Sequence, residues 1–212
     1  LGGLVNNAGI SVSTALNEWL TKQNFVKILD MNLLGVSKVT LNLLPIVRKA
    51  RGHVVKVSSV IEHFWWRLLL FGGGYCISKY RLEASSDSLR REFFYFGVKV
   101  AIIKPGSFKT AMTSIDRFLS FQEAWDWASP EVKESYGEQF PASSIQSFGL
   151  EKQCTQHMVL VMDMEHALTA CHPCTQYPGW YAKLIYLPMN YMTTFLMDTV
   201  IYWVTPQTTE AL

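Results

Sequence analysis

Tyr75 and Lys79 stand four residues apart, a spacing that stacks them on one face of a helix. An ammonium held beside a phenol hydroxyl favours the phenolate and draws its pKa down from about 10. A tyrosine poised in that way passes a proton to or from an alcohol or carbonyl near neutral pH. Taken alone, such a pair is an everyday feature of helix surfaces, so its weight comes from the surrounding residues. Gly72-Gly73-Gly74 leads into it, and Ser58-Ser59 closes a β-branched run upstream. Asn6-Asn7-Ala8-Gly9 and Pro105-Gly106 each close an apolar run as well.

These polar motifs need elements that bring them to one place. Gly3 to Gly9 reads as a short buried strand running into a turn, because Asn and Gly tolerate unusual backbone angles. Thr21 to Asn32 and Leu33 to Lys49 have the apolar spacing of two helices, with Pro45 able to distort the second. His53 to Ser58 and Val98 to Ile103 are β-branched strands. Between them Tyr75 to Phe96 reads as a helix with Arg81, Glu83, Arg90, Arg91 and Glu92 on its outer face, ended by Gly97. This rhythm predicts an α/β fold: a partial doubly wound, Rossmann-like parallel sheet with helices on both faces. Ligands of such sheets sit beyond the carboxyl ends of the strands, where all three strand-ending motifs fall.

Composition fits one domain over 1–212, with 49% hydrophobic and 17% charged residues. A formal charge of +2 argues against a nucleic-acid partner. Four cysteines are too few and too scattered for a secreted disulfide framework. Cys171-His172-Pro173-Cys174, with Cys154 and His157 upstream, has a redox- or zinc-like spacing, but small residues in or beside a helix are the plainer account and no metal is expected. Residues 111–180 form a looser helical region. Its Phe118, Phe121, Trp125 and Trp127 suit either a flap over a pocket or an ordinary core-facing helix. From Leu184 to Val204 only Asp198 is charged. That stretch is long enough to span a bilayer, but its Pro188, Asn190 and Asp198 favour a strand at Ala182 to Leu187 and then an amphipathic helix on the membrane surface or over the pocket.

With these residues assembled, the chain resembles the short-chain dehydrogenases/reductases. The carriers are Asn6-Asn7-Ala8-Gly9, Asn32, Ser59, the Tyr75–Lys79 pair, and Pro105-Gly106 followed by Thr110. Leu33-Leu34-Gly35-Val36, Phe71 to Tyr80 and Tyr95 to Val100 are similar in wording to the microsomal retinol dehydrogenases and their 17β/3α-hydroxysteroid relatives.

The resemblance implies hydride transfer between a retinol or hydroxysteroid alcohol and NAD, with NADP also open. It implies Tyr75 as general acid/base and Lys79 as the group that lowers its pKa and bonds the nicotinamide ribose. Ser59 would bond the substrate oxygen, with Ser58 as the fallback. Asn32 would fix a water linking Lys79 to solvent. Pro105, Gly106 and Thr110 would line the nicotinamide end, and Asn6, Ala8 and Gly9 the adenosine side. A lipophilic alcohol, a membrane surface and an endoplasmic-reticulum location are implied with it, and homo-oligomers are compatible with it.

The sequence departs from the family pattern twice. The glycine-rich turn after the family's first strand has no counterpart, and the chain begins at Leu1 without a Met, so it reads as part of a longer protein lacking its N-terminal third. The strand at Leu4-Val5 is then expected to be an exposed apolar edge, and the chain alone to fold poorly and bind cofactor weakly. The segment Val60 to Leu70 is longer and bulkier than relatives use. It is expected to loop outward, with Trp65 and Trp66 as a membrane or partner contact, or else to shift Ser59 from Tyr75. Two function classes therefore stand at this point: a working dehydrogenase, or a catalytically inactive isoform acting through a partner.

Overall fold

A computed structural model describes residues 1–11, 15–59, 73–105, 116–137, 139–141 and 157–178, with residues 196 and 199. Four parallel strands lie in chain order: β1 (Gly3–Asn6), β2 (His53–Val57), β3 (Lys99–Lys104) and β4 (Gln176–Pro178). Val54 sits opposite Leu4 on one side and Val100 on the other, and Ile103 pairs Tyr177. Among the described residues β1 and β4 are the two edge strands, and Val5 is exposed on β1.

Side chains alternate across the sheet with the two-residue period of a strand. Val54, Val98 and Val100 pack with Leu44, Val47, Leu89 and Phe93 on one face. Val55, Ala101 and Ile103 pack with Ala167, Leu160, Met164 and Leu168 on the other. Both faces are covered, which is why β2 and β3 are almost unbroken runs of branched residues.

The first face is covered by α2 (Val36–Lys49) and α3 (Gly73–Glu92), and α1 (Lys22–Leu29) packs against α3, with Phe25 and Ile28 beside Gly74. The second is covered by α6 (His157–Thr169). The sequence reading placed a helix boundary between Asn32 and Leu33. Instead the chain stays helical from Lys22 to Lys49 through a π turn at Asp30–Gly35. A π turn carries an extra residue and so rotates the helix beyond it, and such turns recur at functional sites. Pro45 is tolerated inside α2, where it is exposed.

Glu83 corrects the reading of α3's outer face. It points inward, where its Oε2 lies 2.6 Å from Lys104 Nζ, a side chain only 3% exposed. Beyond β3 come α4 (Asp116–Trp127) and α5 (Pro130–Tyr136). Phe121, Ala124 and Trp125 bury themselves against Trp19 and Phe140 in a small separate core, so the core-facing account of α4 holds for these residues. Trp127 is exposed. The expected strand at Ala182 to Leu187, almost all of the apolar stretch from 184 to 204, and Trp65 and Trp66 lie outside the described residues. Among the described residues no helix is long and apolar enough to cross a membrane.

Candidate active site

The site is built where β1 and β2 end and α3 begins. β2 runs on into Ser58, whose N–H donates to Ile103 O at 2.8 Å, and Ser58 and Ser59 are both buried there. α3 turns Tyr75, Ser78, Lys79 and Leu82 inward, the i, i+3, i+4, i+7 stripe of one helix face. Tyr75 and Lys79 therefore share a face, as their spacing requires.

Lys79 is 4% exposed, and a buried ammonium needs polar company. Its Nζ donates to Val57 O at 2.9 Å and lies 5.6 Å from the centre of the Tyr75 ring. Ser58 Oγ donates to the Lys79 carbonyl at 3.4 Å. Strand β2 thus grips α3 at both the backbone and the amine of one residue.

Asn32 is fully buried in the π turn. Its Oδ1 accepts from Ile10 N at 2.8 Å, while Nδ2 donates to Ile10 O at 2.8 Å and to Ser78 Oγ at 3.1 Å. Ser78 Oγ in turn donates to Tyr75 O at 2.7 Å. Both amide hydrogens are thereby used, so a water held by Asn32 would donate to an acceptor, a remaining lone pair of Oδ1 or the backbone carbonyl of the residue. What Asn32 visibly does is clamp the chain leaving β1 against α3.

Gly9 lies beside that clamp. A Cβ there would sit 3.3 Å from Asn32 Oδ1 and 3.5 Å from Lys79 Nζ, so the missing side chain keeps the space next to the amine open. Ala8 is exposed. Asn6 is buried and turned away, its Nδ2 donating to Thr40 Oγ1 at 3.1 Å, which ties the end of β1 to α2. Pro105 follows β3, half-buried. Gly106 and Thr110 lie outside the described residues, as does the whole of 60–72.

The structure therefore brings Gly9, Asn32, Tyr75 and Lys79 together, with Ser58 against Lys79, and gives Asn6 an anchoring bond instead. The sequence reading missed Ser78, although its position three residues after Tyr75 on the same stripe marked it. It also missed two lysines beneath α3. Lys56 is 2% exposed in β2, donates to Ser85 Oγ at 3.3 Å, and is lowered by burial from 10.5 to about 8. Lys104 is the partner of Glu83. A lysine inside an otherwise apolar strand was the available signal for each.

Comparison with known proteins decides the family. The short chain dehydrogenase family model matches residues 1–117, more than half of the chain. This chain belongs to the short-chain dehydrogenases. Human retinol dehydrogenase 16 is 65% identical to it over 216 residues, covering 100% of this chain and 67% of that protein. Human 17-beta-hydroxysteroid dehydrogenase type 6 is 44% identical over 217 residues, again covering 100% of this chain and 67% of the relative. This short-chain dehydrogenase thus spans about two thirds of the length of its curated relatives and is an oxidoreductase-family chain related to retinol and hydroxysteroid dehydrogenases. Among solved structures, a Burkholderia cenocepacia short chain dehydrogenase in complex with NADP matches with a TM-score of 0.65 at 15% identity, over 97% of this chain and 70% of the other. A Mycobacterium paratuberculosis short chain dehydrogenase bound to NAD matches with a TM-score of 0.62 at 18% identity, over 84% and 62%. At these identities the likeness shows the fold, the parallel Rossmann-like sheet expected from the sequence.

Proposed function

We propose that this chain carries the proton-handling site of a dehydrogenase that exchanges a hydride between a retinoid or hydroxysteroid alcohol and NAD(P), with Tyr75 as general acid/base. The observation that carries the reading is the Lys79 amine, buried, held by the Val57 carbonyl and lying 5.6 Å from the centre of the Tyr75 ring. An ammonium in that position stabilises negative charge on a neighbouring phenol. Tyr75 accepts the proton as an alcohol is oxidised and returns it when a carbonyl is reduced. Ser59, buried at the end of β2, is the hydrogen-bond partner proposed for the substrate oxygen, with Ser58 committed to the Lys79 backbone. Burial of all three side chains keeps bulk water from competing for the proton.

The residues present fit the nicotinamide end of the cofactor. Gly9 leaves open space beside a lysine amine that can bond ribose hydroxyls, and Pro105 borders the same strand ends. The bound nucleotide supplies the hydride acceptor; the chain supplies orientation and one tuned proton. NAD and NADP both suit these residues, because the position that separates them in such folds follows the second strand of the nucleotide-binding half. The names of the two human relatives support a lipophilic alcohol as substrate, and an endoplasmic-reticulum membrane setting goes with that proposal.

The test is NADH formation with all-trans-retinol and with androstanediol, comparing the wild type with Tyr75→Phe. Loss of the general acid/base is expected to lower turnover by about 10²–10⁴-fold, with nucleotide binding unchanged in a fluorescence titration. A Tyr75→Phe variant that kept wild-type turnover would remove the proposed role.

A further inference from the structure

The two glycines before Tyr75 open α3, and other elements press on both of them. A Cβ on Gly74 would stand 3.1 Å from Ile28 Cδ1 and 3.3 Å from Phe25 Cδ1, both of α1. A Cβ on Gly73 would run into the Asn17 amide, with Nδ2 3.0 Å away and Oδ1 closer still. Asn17 therefore rests on the backbone of α3 two residues before Tyr75. Ser78 and Lys79 anchor the helix a turn later, so this contact supports Tyr75 from its other side.

Asn17 belongs to a 3-10 turn, Asn17–Trp19, whose three side chains go to different places. Glu18 Oε2 accepts from the Tyr136 hydroxyl of α5 at 3.0 Å. Trp19 is buried, its ring 5.2 Å from Phe121 and 4.8 Å from Trp125 of α4, and 5.7 Å from Tyr136. These rings form a core apart from the two that cover the sheet. Trp19 N–H donates to Leu16 O at 3.0 Å and Leu20 N–H to Asn17 O at 3.2 Å. Those i to i+3 bonds lock the turn, so its residues move together.

We propose that Asn17 is a positioning residue, which makes the placement of Tyr75 follow that of α4 and α5. A displacement of either helix pulls on Trp19 and Glu18, and the locked turn carries it to Asn17. The amide then passes it through Gly73 to the first turn of α3. With no Cβ at Gly73 the amide bears on the backbone itself, where no side-chain rotation can absorb the push. Alanine is the better helix former, but its methyl at position 73 would unseat the amide. The catalytic consequence rests on Tyr75 being the general acid/base proposed above; the mechanical link does not.

The experiment is fluorine NMR of the 212-residue chain carrying 3-fluorotyrosine, its Tyr75 signal assigned from Tyr75→Phe. Trp125→Leu and Tyr136→Phe each disturb the small core, and each is expected to shift the Tyr75 signal. In the Asn17→Ala and Gly73→Ala backgrounds the same two variants are expected to leave it in place. Circular dichroism checks each fold; Tyr136→Phe removes only an exposed hydrogen bond and keeps the comparison decisive if Trp125→Leu unfolds. In NADH formation with all-trans-retinol, Asn17→Ala is expected to lower kcat about tenfold and to change KM by less than about twofold. Asn17→Asp, of the same shape, is expected to stay close to wild type. A wild type without turnover counts against the proposed function, while the NMR comparison still decides the link. The proposal is overturned if neither core variant moves the Tyr75 signal, or if they move it as far without the Asn17 amide. It is also overturned if Asn17→Ala keeps the kcat of an active wild type.

Discussion

Replacing Lys56 with methionine is expected to stabilise this protein, and the reason is readable from the site's foundations. Lys56 lies in the middle of the sheet, 2% exposed, with the Ser85 hydroxyl at 3.3 Å as the partner of its amine. Burial lowers it from 10.5 to about 8. At about 1.4 kcal/mol for each tenfold change in proton affinity, holding the charged amine there costs about 3 kcal/mol. The sign follows from proton counting. Below pH 8 the lysine is charged in both folded and unfolded chains, and the folded state bears the full cost. Between about 8 and 10.5 the folded chain releases the proton while the unfolded chain keeps it, so stability rises with pH. Lys56→Met removes the charge, retains most of the packed volume and gives up one hydrogen bond of about 1 kcal/mol. The net expectation at pH 7 is a gain of about 2 kcal/mol. Urea unfolding at pH 7 and pH 9.5 measures both effects. The wild type should gain about 2 kcal/mol between those values and the variant nothing. Tyr136 and Tyr177, both raised by burial, give the opposite slope above about pH 10, so the window stops short of them. A variant less stable than wild type at pH 7, or a wild type with no alkaline rise, would refute the reasoning.

Two other substitutions probe the same foundations. Asn32→Ala leaves the Ile10 N–H and C=O and the Ser78 hydroxyl without their side-chain partner, and should lower stability by about 3 kcal/mol in urea unfolding. Lys104→Met takes the buried Glu83 carboxylate's ammonium away and should destabilise by about 3–5 kcal/mol, whereas the double variant with Glu83→Leu should recover most of the loss.

The parallel sheet was legible because β2 and β3 are covered on both faces, and a doubly covered strand must be written in branched apolar residues. The Tyr75–Lys79 pair was legible because helical spacing alone puts two such residues on one face. What escaped were features whose partners are backbone atoms. Nothing in the letters of Val57 says that its carbonyl holds Lys79, and nothing in Ile10 says that both its peptide groups bond Asn32. The π turn escaped for a related reason: one extra residue in a turn shifts the apolar stripe, and a shifted stripe reads as two helices. Glu83 was placed outward because a charged residue on a long helix usually is; Lys104, twenty-one residues later and on a different element, is what draws it in. The short strand Gln176–Pro178 carries too few residues to show alternation.

These bonds have a consequence for how the site works. The chain leaving β1 is tied to the π turn by Asn32, and the π turn to α3 by Ser78, whose hydroxyl reaches the Tyr75 carbonyl. α3 is tied to β2 by the Lys79 amine, and β2 pairs with β1 from Gly3–His53 to Asn6–Lys56. The circuit is closed, so no one of these four elements shifts without breaking a buried hydrogen bond, at about 1–3 kcal/mol for each group left unpaired. A proton donor that must meet its substrate within a few tenths of an ångström gains from that closure, since misplacement by about 1 Å can lower a rate a hundredfold. The circuit also runs mainly through main-chain groups, which every residue type supplies. Substitutions along β1 and β2 that respect size therefore leave the placement of Tyr75 intact, while those at Asn32, Ser78 and Lys79 open the ring itself.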